Sequence, residues 1–473
     1  MAEKETVKGL AKWVLALDAN SLSDAVVKQT KLLILDSIGC ALAALDEHEV
    51  IEAITAVDNL GGAPQATIIG LPGKTSVTSA VLANGILVRY LDLNDFLVGE
   101  GVDKGVPSIG GHPSDNIAVG LSVGEWQASS GLEVIAAISL GYEIYDRLDK
   151  MRDRNQPWDG TSGSGLVASA MAGRLMGLNE MQLAHGLALG AARSTTPGIM
   201  RSGKISAAKF LSNPLVAQSG TLAVVLAQGG MTGPLAVLDH EKGISSLYKN
   251  ADASPLVEPY PEEFAIMRAN MKAFPCLATG QAVVAAGIEM NGILGGKMDN
   301  IEKIEVHMAD NPFIRGQQDD QDRRFPKSRE AADHSFYFLS AASILDGKLT
   351  PRSFDNERWY DPTVKALMDK TSMHTDKALN DVAPKGYPCA IRVVTSDGSE
   401  HRAEVGYAPG YSHGGLKESE VFEKFGRATV GVLGEDEREA VKKTVDRLET
   451  LSSIGDLMTV VADKRRPGAG QAS

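Results

Sequence analysis

Residues 22–45, LSDAVVKQTKLLILDSIGCALAAL, set the fold class. Val26, Leu33, Ile34, Ile38 and Leu42 recur near helical spacing, while Gly39, Ala41, Ala43 and Ala44 keep the same stretch slim. Apolar residues at that period mark a helix, and small residues let a second helix axis come close. The segments 79–91, 116–147, 164–176, 180–193 and 214–229 share this texture, with few aromatic residues. The N-terminal MAEKETVKGLAKWVLAL alternates charged and apolar residues as an amphipathic helix, and it lacks the unbroken apolar core of a signal peptide. Leu178-Asn179 and Gly229-Gly230 are stops between helices. Residues 1–266 therefore read as one tightly packed helical domain.

The texture changes after 266. Residues 303–308, KIEVHM, alternate, with Ile304, Val306 and Met308 on one side. The segments AIRVVT (390–395) and HRAEVG (401–406) flank Asp397-Gly398, a hairpin turn signal. Helices are expected over 273–294 and over 332–346, the second beginning near Asp333. After 406 the pattern returns to helix at 417–426, 435–450 and 453–462. The fold class is mainly α: a large all-helical domain (1–266, completed by 407–463) with an inserted, smaller α+β lid domain (267–406). Residues 464–473, with Lys464-Arg465-Arg466 beside Pro467, read as a disordered tail.

The 473 residues carry a formal charge of -13 and no long basic run, which argues against nucleic acid or an anionic membrane as partner. The most apolar regions, 165–192 and 220–238, are broken by Arg174, Asn179, Glu180, Gln228 and Pro234, short of the roughly 20 apolar residues that span a bilayer. Cys40, Cys276 and Cys389 lie far apart without a Cys-x-x-Cys pair, which fits a reducing cytoplasm and no cysteine zinc site. Gly292-Ile293-Leu294-Gly295-Gly296-Lys297 lacks the first Gly and the final Ser/Thr of a phosphate loop. No dinucleotide fingerprint and no His-Glu-x-x-His occur, and Asp239-His240-Glu241 reads as a solvated loop. Ser162-Gly163-Ser164-Gly165 follows no strand, so it is not a nucleophile elbow.

The chemistry concentrates in residues 91–116, LDLNDFLVGEGVDKGVPSIGGHPSDN. Asp92 and Asp95 precede a Gly-rich loop that delivers His112. Pro113 disfavours the helical region at His112, so the imidazole sits at a loop end where it can face a cavity. A carboxylate and a histidine gathered this way suit proton transfer at a carbon acid. The alternative is a helix cap, with Ser114 or Asp115 capping a helix that starts near Asn116.

Several motifs in order resemble the MmgE/PrpD family: KLLILDSIGCALAA (31–44), NGILVRYLDLNDF (84–96), GGHPSDN (110–116), KFLSNPLVAQSG (209–220), GMTGPLAVLDHEKGI (230–244), MKAFPCLATGQAVVAA (271–286) and FPKSREAADHSFYFLSAASILDGKLTP (325–351). The resemblance implies a helical domain, a smaller α+β domain, an active site in the cleft between them, a homodimer and no organic cofactor. It implies a small di- or tricarboxylate substrate that is dehydrated, decarboxylated or epimerised. By motif, Asp92 and His112 fall on the family's acidic and histidine positions, and Lys209 and Lys272 on its active-site lysines. His112 would then move the proton with Asp92 orienting its ring, and the two lysines would clamp carboxylates from opposite domains. Asp95, Ser114, Thr279 and His334 are the accompanying substrate-contact candidates. For His334 the alternative is structural, with Asp333 capping the following helix, and Arg329 and Glu330 would form a supporting ion pair.

The chain departs from the family pattern at three places. Phe96 stands where Thr is common, Gly160 where a histidine is expected, and Thr279 where a second histidine is expected. The loop 97–111 is also long and rich in glycine. The expected activity is a hydro-lyase of the 2-methylcitrate dehydratase type, without a metal. An isomerase or decarboxylase on the same scaffold, or a catalytically impaired carboxylate-binding relative, are the alternatives.

Overall fold

Caps and burial explain where the helices begin and which become central. The first helix, α1 (Thr6–Ala16), receives no cap from its own N-terminal neighbour. Instead Asp239 accepts from the Thr6 N–H at 2.7 Å and the Thr6 hydroxyl at 2.6 Å, so Asp239-His240-Glu241 includes a remote cap. Ser23 caps α2 (Asp24–Ala43), which is buried on every side from Leu32 to Leu42. The computed structural model describes residues 4–100, 107–151, 157–193, 195–201, 205–244, 252–381, 386–411 and 416–464. The tail expected over 464–473 lies outside these except for Lys464, which pairs with Glu437 at 2.9 Å.

Around α2 the first core adds α3 (His48–Asp58), a ribbon of β1 (Ala66–Thr67) and β2 (Lys74–Thr75), and α4 (Val77–Arg89). It continues with α5 (Ile117–Trp126), α6 (Gly131–Met151), α7 (Ser164–Leu175), α8 (Glu180–Ala191) and α9 (Ala208–Gln228). The stretch expected as one helix over 116–147 is thus two, broken near Ala128, whose φ is +51°. The α9 helix begins six residues before the expected 214 and runs through Pro214. Pro214 seats against Gly85 of α4, where a Cβ would meet the Pro214 ring at 3.1 Å. By length and composition α9 is apolar enough to cross a membrane, contrary to the sequence expectation, but 61% of its apolar window is buried in the protein.

Between α4 and α5, β3 (Phe96–Glu100) pairs antiparallel with β4 (Pro107–Gly111) and with β5 (Ala269–Asn270). The described residues of the loop expected over 97–111, 97–100 and 107–111, are therefore paired strands. The second core follows: α10 (Gln281–Leu294), β6 (Ile301–Ala309), α11 (Pro312–Asp319), α12 (Gln321–Arg324), α13 (Arg329–Ala332), α14 (Phe336–Asp346), α15 (Pro362–Asp369), β7 (Thr371–Asp376), β8 (Cys389–Thr395) and β9 (Glu400–Val405). Its sheet runs β7-β6-β8-β9, with β6 and β7 parallel and the other pairs antiparallel. The helix expected from 273 starts only at 281. Pro275 disfavours the helical region at Phe274, and the Gln281 side chain accepts from the Ala273 and Phe274 N–H groups at 3.0 Å each.

The chain then returns to the first core through α16 (Glu418–Ala428), α17 (Glu435–Asp446) and α18 (Gly455–Val461). Buried apolar residues of the first core reach Met271 and resume at Leu416. Those of the second run from Cys276 to Tyr411 and include Phe96. Arg329 clasps the two: its guanidinium lies 4.8 Å from the Tyr90 ring of the first core and 4.9 Å from the Phe354 ring of the second.

Candidate active site

The site starts from a strained turn at the end of α4. Asp92 has φ +49°, the left-handed region that few residues other than Gly, Asn and Asp adopt readily. That turn folds its carboxylate back over the helix end. Arg89 Nη1 donates to Asp92 Oδ1 at 2.6 Å. Lys209 Nζ, in the first turn of α9, donates to Oδ2 at 3.2 Å. Lys272 Nζ donates to the Asp92 carbonyl at 2.9 Å and also to Oδ1. All four side chains are buried. Burial alone would raise the Asp92 carboxyl, but Arg89, Lys209 and Lys272 together hold it well below the usual carboxylate range. Burial lowers the Lys272 ammonium against the pull of Asp92.

The turn is also held from the far end of the chain. Lys424 of α16 donates to the Leu93 carbonyl at 2.8 Å and pairs with Asp36 at 2.5 Å, entirely within the interior.

A second carboxylate arrives from the second core. Asp333 accepts from Lys209 at 3.1 and 3.3 Å. His334 Nδ1 lies 3.1 Å from Lys209 Nζ and in contact with Asp333 Oδ1. Asp333 does not cap the next helix as the sequence suggested. Ser335 does so, accepting from the Phe338 N–H at 3.1 Å. Nor do Arg329 and Glu330 form the expected pair, since Arg329 instead approaches Asp333 at 3.9 Å. Burial, reinforced by Lys209, pushes the His334 imidazole down to about 4, so it is neutral at pH 7. Its side chain is 13% exposed against 1–4% for Asp333, Asp92 and Lys209, so it faces the more open side. Asp92, Asp333 and His334 offer three ligand atoms within 4.8 Å of one another. The Lys209 ammonium sits among them and already serves as their cation, so a metal would have to displace it.

His112 stands at the end of β4. Gly111, with φ +92°, lets the backbone pass the Tyr145 hydroxyl, which a Cβ would approach to 2.3 Å. His112 Nδ1 then lies 2.5 Å from the Asp95 carbonyl oxygen. A carbonyl only accepts, so Nδ1 carries the hydrogen and Nε2 keeps its lone pair. Burial, with Arg89 and Lys272 nearby, lowers the His112 pKa well below the ordinary value, so the ring is a neutral base. The expectation that Asp92 orients this ring is corrected: the Asp95 backbone does. The Asp95 carboxyl accepts from the Ser114 N–H at 3.2 Å and from the Tyr142 hydroxyl at 2.8 Å. Burial raises it to about 7.

Other expectations change for physical reasons. Asp95 and Ser114 are buried inside this scaffold, Ser114 Oγ accepting from Asn94 at 2.8 Å, so neither presents an open contact to substrate. Neither Ser114 nor Asp115 caps α5, which has no side-chain cap. Lys209 and Lys272 are not free clamps, because Asp92 and Asp333 already neutralise them. Phe96 does not line the cleft but packs on the Tyr411 ring at 4.6 Å inside the second core. Thr279 is buried at the entry to α10, its hydroxyl without a partner among the described residues. Gly160 opens a 3-10 turn, Gly160–Gly163, whose Asp159 cap binds Arg201 at 2.6 Å.

Sequence reasoning missed Arg89, Asn94 and Asp115. Asn94 bridges the group, donating to Asp115 at 2.8 Å while accepting from Arg89 at 3.1 Å. The available signal was Arg89 itself, one cation inside the apolar helix NGILVRY, because a charge on such a face needs a buried partner.

The family model described as MmgE/PrpD N-terminal domain matches residues 8–255, and the MmgE/PrpD C-terminal domain matches residues 274–450. Cis-aconitate decarboxylase of Mus musculus is 24% identical over 481 residues, covering 97% of this chain and 93% of the relative. The Homo sapiens protein of the same name is 24% identical over 496 residues, covering 99% and 96%. A 2-methylcitrate dehydratase of Cupriavidus necator is 22% identical over 394 residues, covering 77% and 78%.

Proposed function

The chain belongs to the MmgE/PrpD family, and from that premise we propose that it is a lyase acting at the carbon beside a carboxylate of a small di- or tricarboxylic acid. The observation that carries the reading is His112, a neutral imidazole whose Nε2 has no partner among the described residues and which has the buried Arg89 and Lys272 nearby. In a dehydration, Nε2 takes the α-proton. The charge that develops spreads onto the neighbouring carboxylate, which must share Lys209 and Lys272 with Asp92 and Asp333. His334 is the second proton-transfer group. Its Nδ1 faces both a donor, Lys209, and an acceptor, Asp333, so either tautomer is satisfied. With Nδ1 accepting from the Lys209 ammonium, Nε2–H passes to the departing hydroxyl as a Lys209 proton moves onto Nδ1, so water leaves, the ring stays neutral and Lys209 becomes the amine.

Decarboxylation is the second reading, favoured by the relatives of that name, which align with nearly the whole chain. It needs a group that hands a proton to the carbon that loses carbon dioxide. The reading includes a cytoplasmic homodimer without an organic cofactor. Three buried free thiols suit a reducing compartment. The half-exposed Leu215, Leu222 and Leu226 along one side of α9 suit a second copy.

Proton NMR in D₂O with 2-methylcitrate, citrate and cis-aconitate tests the proposal. Loss of water is the expected result, and His112→Asn lowers kcat about 10²–10⁴-fold while the fold persists. Carbon dioxide release selects the second reading, and turnover undiminished in folded His112→Asn refutes both.

A further inference from the structure

Lys209 and Lys272 are engaged by Asp92 and Asp333, and their side chains are only 4% and 0% exposed. A substrate carboxylate needs a cation that it can reach. Arg201 meets that need, because its side chain keeps 26% exposure while that of its partner Asp159 keeps 5%.

The backbone brings Arg201 to the site. Arg201 closes the 3-10 turn Gly198–Arg201, which packs on α9. The Gly198 N–H donates to the Pro157 carbonyl at 2.6 Å, and the Asp159 N–H donates to the Thr196 carbonyl at 2.8 Å, so this turn is tied to the one that Asp159 caps. The Asp159-capped turn packs on α9 and on β4, the strand that ends beside His112. One hydroxyl spans what remains. Tyr145 Oη lies 3.5 Å from the Gly160 carbonyl, and it also occupies the place that a Cβ on Gly111 would take. Asp159 and His112 are the chain neighbours of those two glycines, and His112 is itself only half-buried. Behind burial, Arg89 and Lys272, the Arg201 charge contributes to lowering the His112 imidazole.

The way Arg201 is held decides which edge of it remains. Asp159 Oδ1 accepts from the Thr161 N–H at 3.0 Å and from the Thr161 hydroxyl at 2.9 Å. Its Oδ2 takes Arg201 Nε at 2.6 Å. Nη1 and Nη2 have no partner among the described residues. A guanidinium is a planar fork of donors, and two parallel N–H bonds from one edge match the two oxygens of a carboxylate.

We propose that Arg201 receives a substrate carboxylate through the paired N–H groups of Nη1 and Nη2, and that Asp159 fixes this edge beside the His112 imidazole. The proposal rests on the carboxylate-lyase reading and names the side chain that recognises the acid group.

Calorimetric titration of the full-length protein tests this with tricarballylate and with glutarate and methylsuccinate, which each lack one of its acid groups. Each dicarboxylate is titrated directly or as a competitor of tricarballylate. Arg201→Gln is expected to bind tricarballylate roughly 10- to 100-fold more weakly than the wild type does, the strength of a charge-assisted hydrogen bond. One of the two dicarboxylates should bind wild type and variant equally, and the group it lacks is the one that Arg201 holds. Arg201→Lys carries the same comparison if Arg201→Gln does not fold, because it keeps a charge for Asp159 and gives up the fork. Equal binding of tricarballylate by wild type and variant overturns the assignment and leaves the lyase reading standing. Equal weakening of all three ligands overturns it as well, since Arg201 then supports the site without touching the ligand. Failure of tricarballylate to bind the wild type overturns the assignment together with the lyase reading.

Discussion

Replacing Asp92 by Asn removes the counter-ion shared by Arg89, Lys209 and Lys272 while keeping the side chain's shape. Two unit charges about 4 Å apart attract by about 4 kcal/mol at an effective dielectric of about 20, before desolvation is subtracted. Removing one partner of a buried pair typically costs about 3–5 kcal/mol, because a charge is left uncompensated. Here Lys209 keeps Asp333, but Arg89 and Lys272 keep only carbonyl acceptors and the more distant Asp115, 3.7 Å from Arg89. A loss of about 3–5 kcal/mol is therefore expected at pH 7. Asn also tolerates a φ of +49°, so the loss is electrostatic, and Asp92→Ala should add about 1–2 kcal/mol of left-handed strain. The pH dependence gives the sharper test. A carboxyl held below its ordinary value contributes stability that is fully present above the unfolded pKa of about 3.9 and is lost as pH falls through the folded value. The gap between wild type and Asp92→Asn should stay level from pH 8 to about 5 and narrow below about 4. Urea denaturation followed by far-UV circular dichroism and by tryptophan fluorescence measures it. A gap under about 1 kcal/mol at pH 7, or one unchanged down to pH 3, refutes the counter-ion argument.

Asp95 should behave in the opposite sense. Its folded pKa is raised to about 7, so the wild type loses stability as pH rises from about 4 to 7; Asp95→Asn escapes that loss and should be more stable by up to roughly 4 kcal/mol at pH 8, with no gain at pH 3.5. Arg329→Met removes the cation held between Tyr90 and Phe354 and should cost about 1–4 kcal/mol. Amide exchange should then quicken in the second core before the first, and equal quickening in both would count against a clasp. Leu222→Glu places a charge on the apolar side of α9, and sedimentation equilibrium should show the dimer proposed for the wild type replaced by a monomer of unchanged helicity.

Local patterns made the helices and strands legible, because burial imposes its period on the residues themselves. The expected strand over 303–308 appears as β6, and the Asp397-Gly398 turn joins β8 to β9. Boundaries failed where a contact from elsewhere decided them. Gln281 holds Ala273 and Phe274 out of α10, and Ser335 takes the capping role given to Asp333. The site was legible as a set of residue types but not as a wiring diagram. Asp92, His112, Lys209, Lys272 and His334 stand out by motif. That Asp92 serves the lysines while the Asp95 backbone serves His112 depends on a left-handed turn that an aspartate does not announce. Arg89 was hidden by its neighbours, since an apolar helix with one cation at its end also suits an exposed terminus.

The bond from Lys424 to the Leu93 carbonyl ties residues 331 apart in sequence. At roughly 5–20 residues per second of synthesis, the acidic turn waits roughly 15–70 s for that anchor to be made. Through that interval Asp36 is without the ammonium that pairs with it in the finished chain. The ribosome must hold a nascent protein whose reactive turn is assembled but not yet fastened. Truncation within α16 would leave most of the first core encoded and its chemistry loose, so translation through Lys424 is a checkpoint on activity as well as on length.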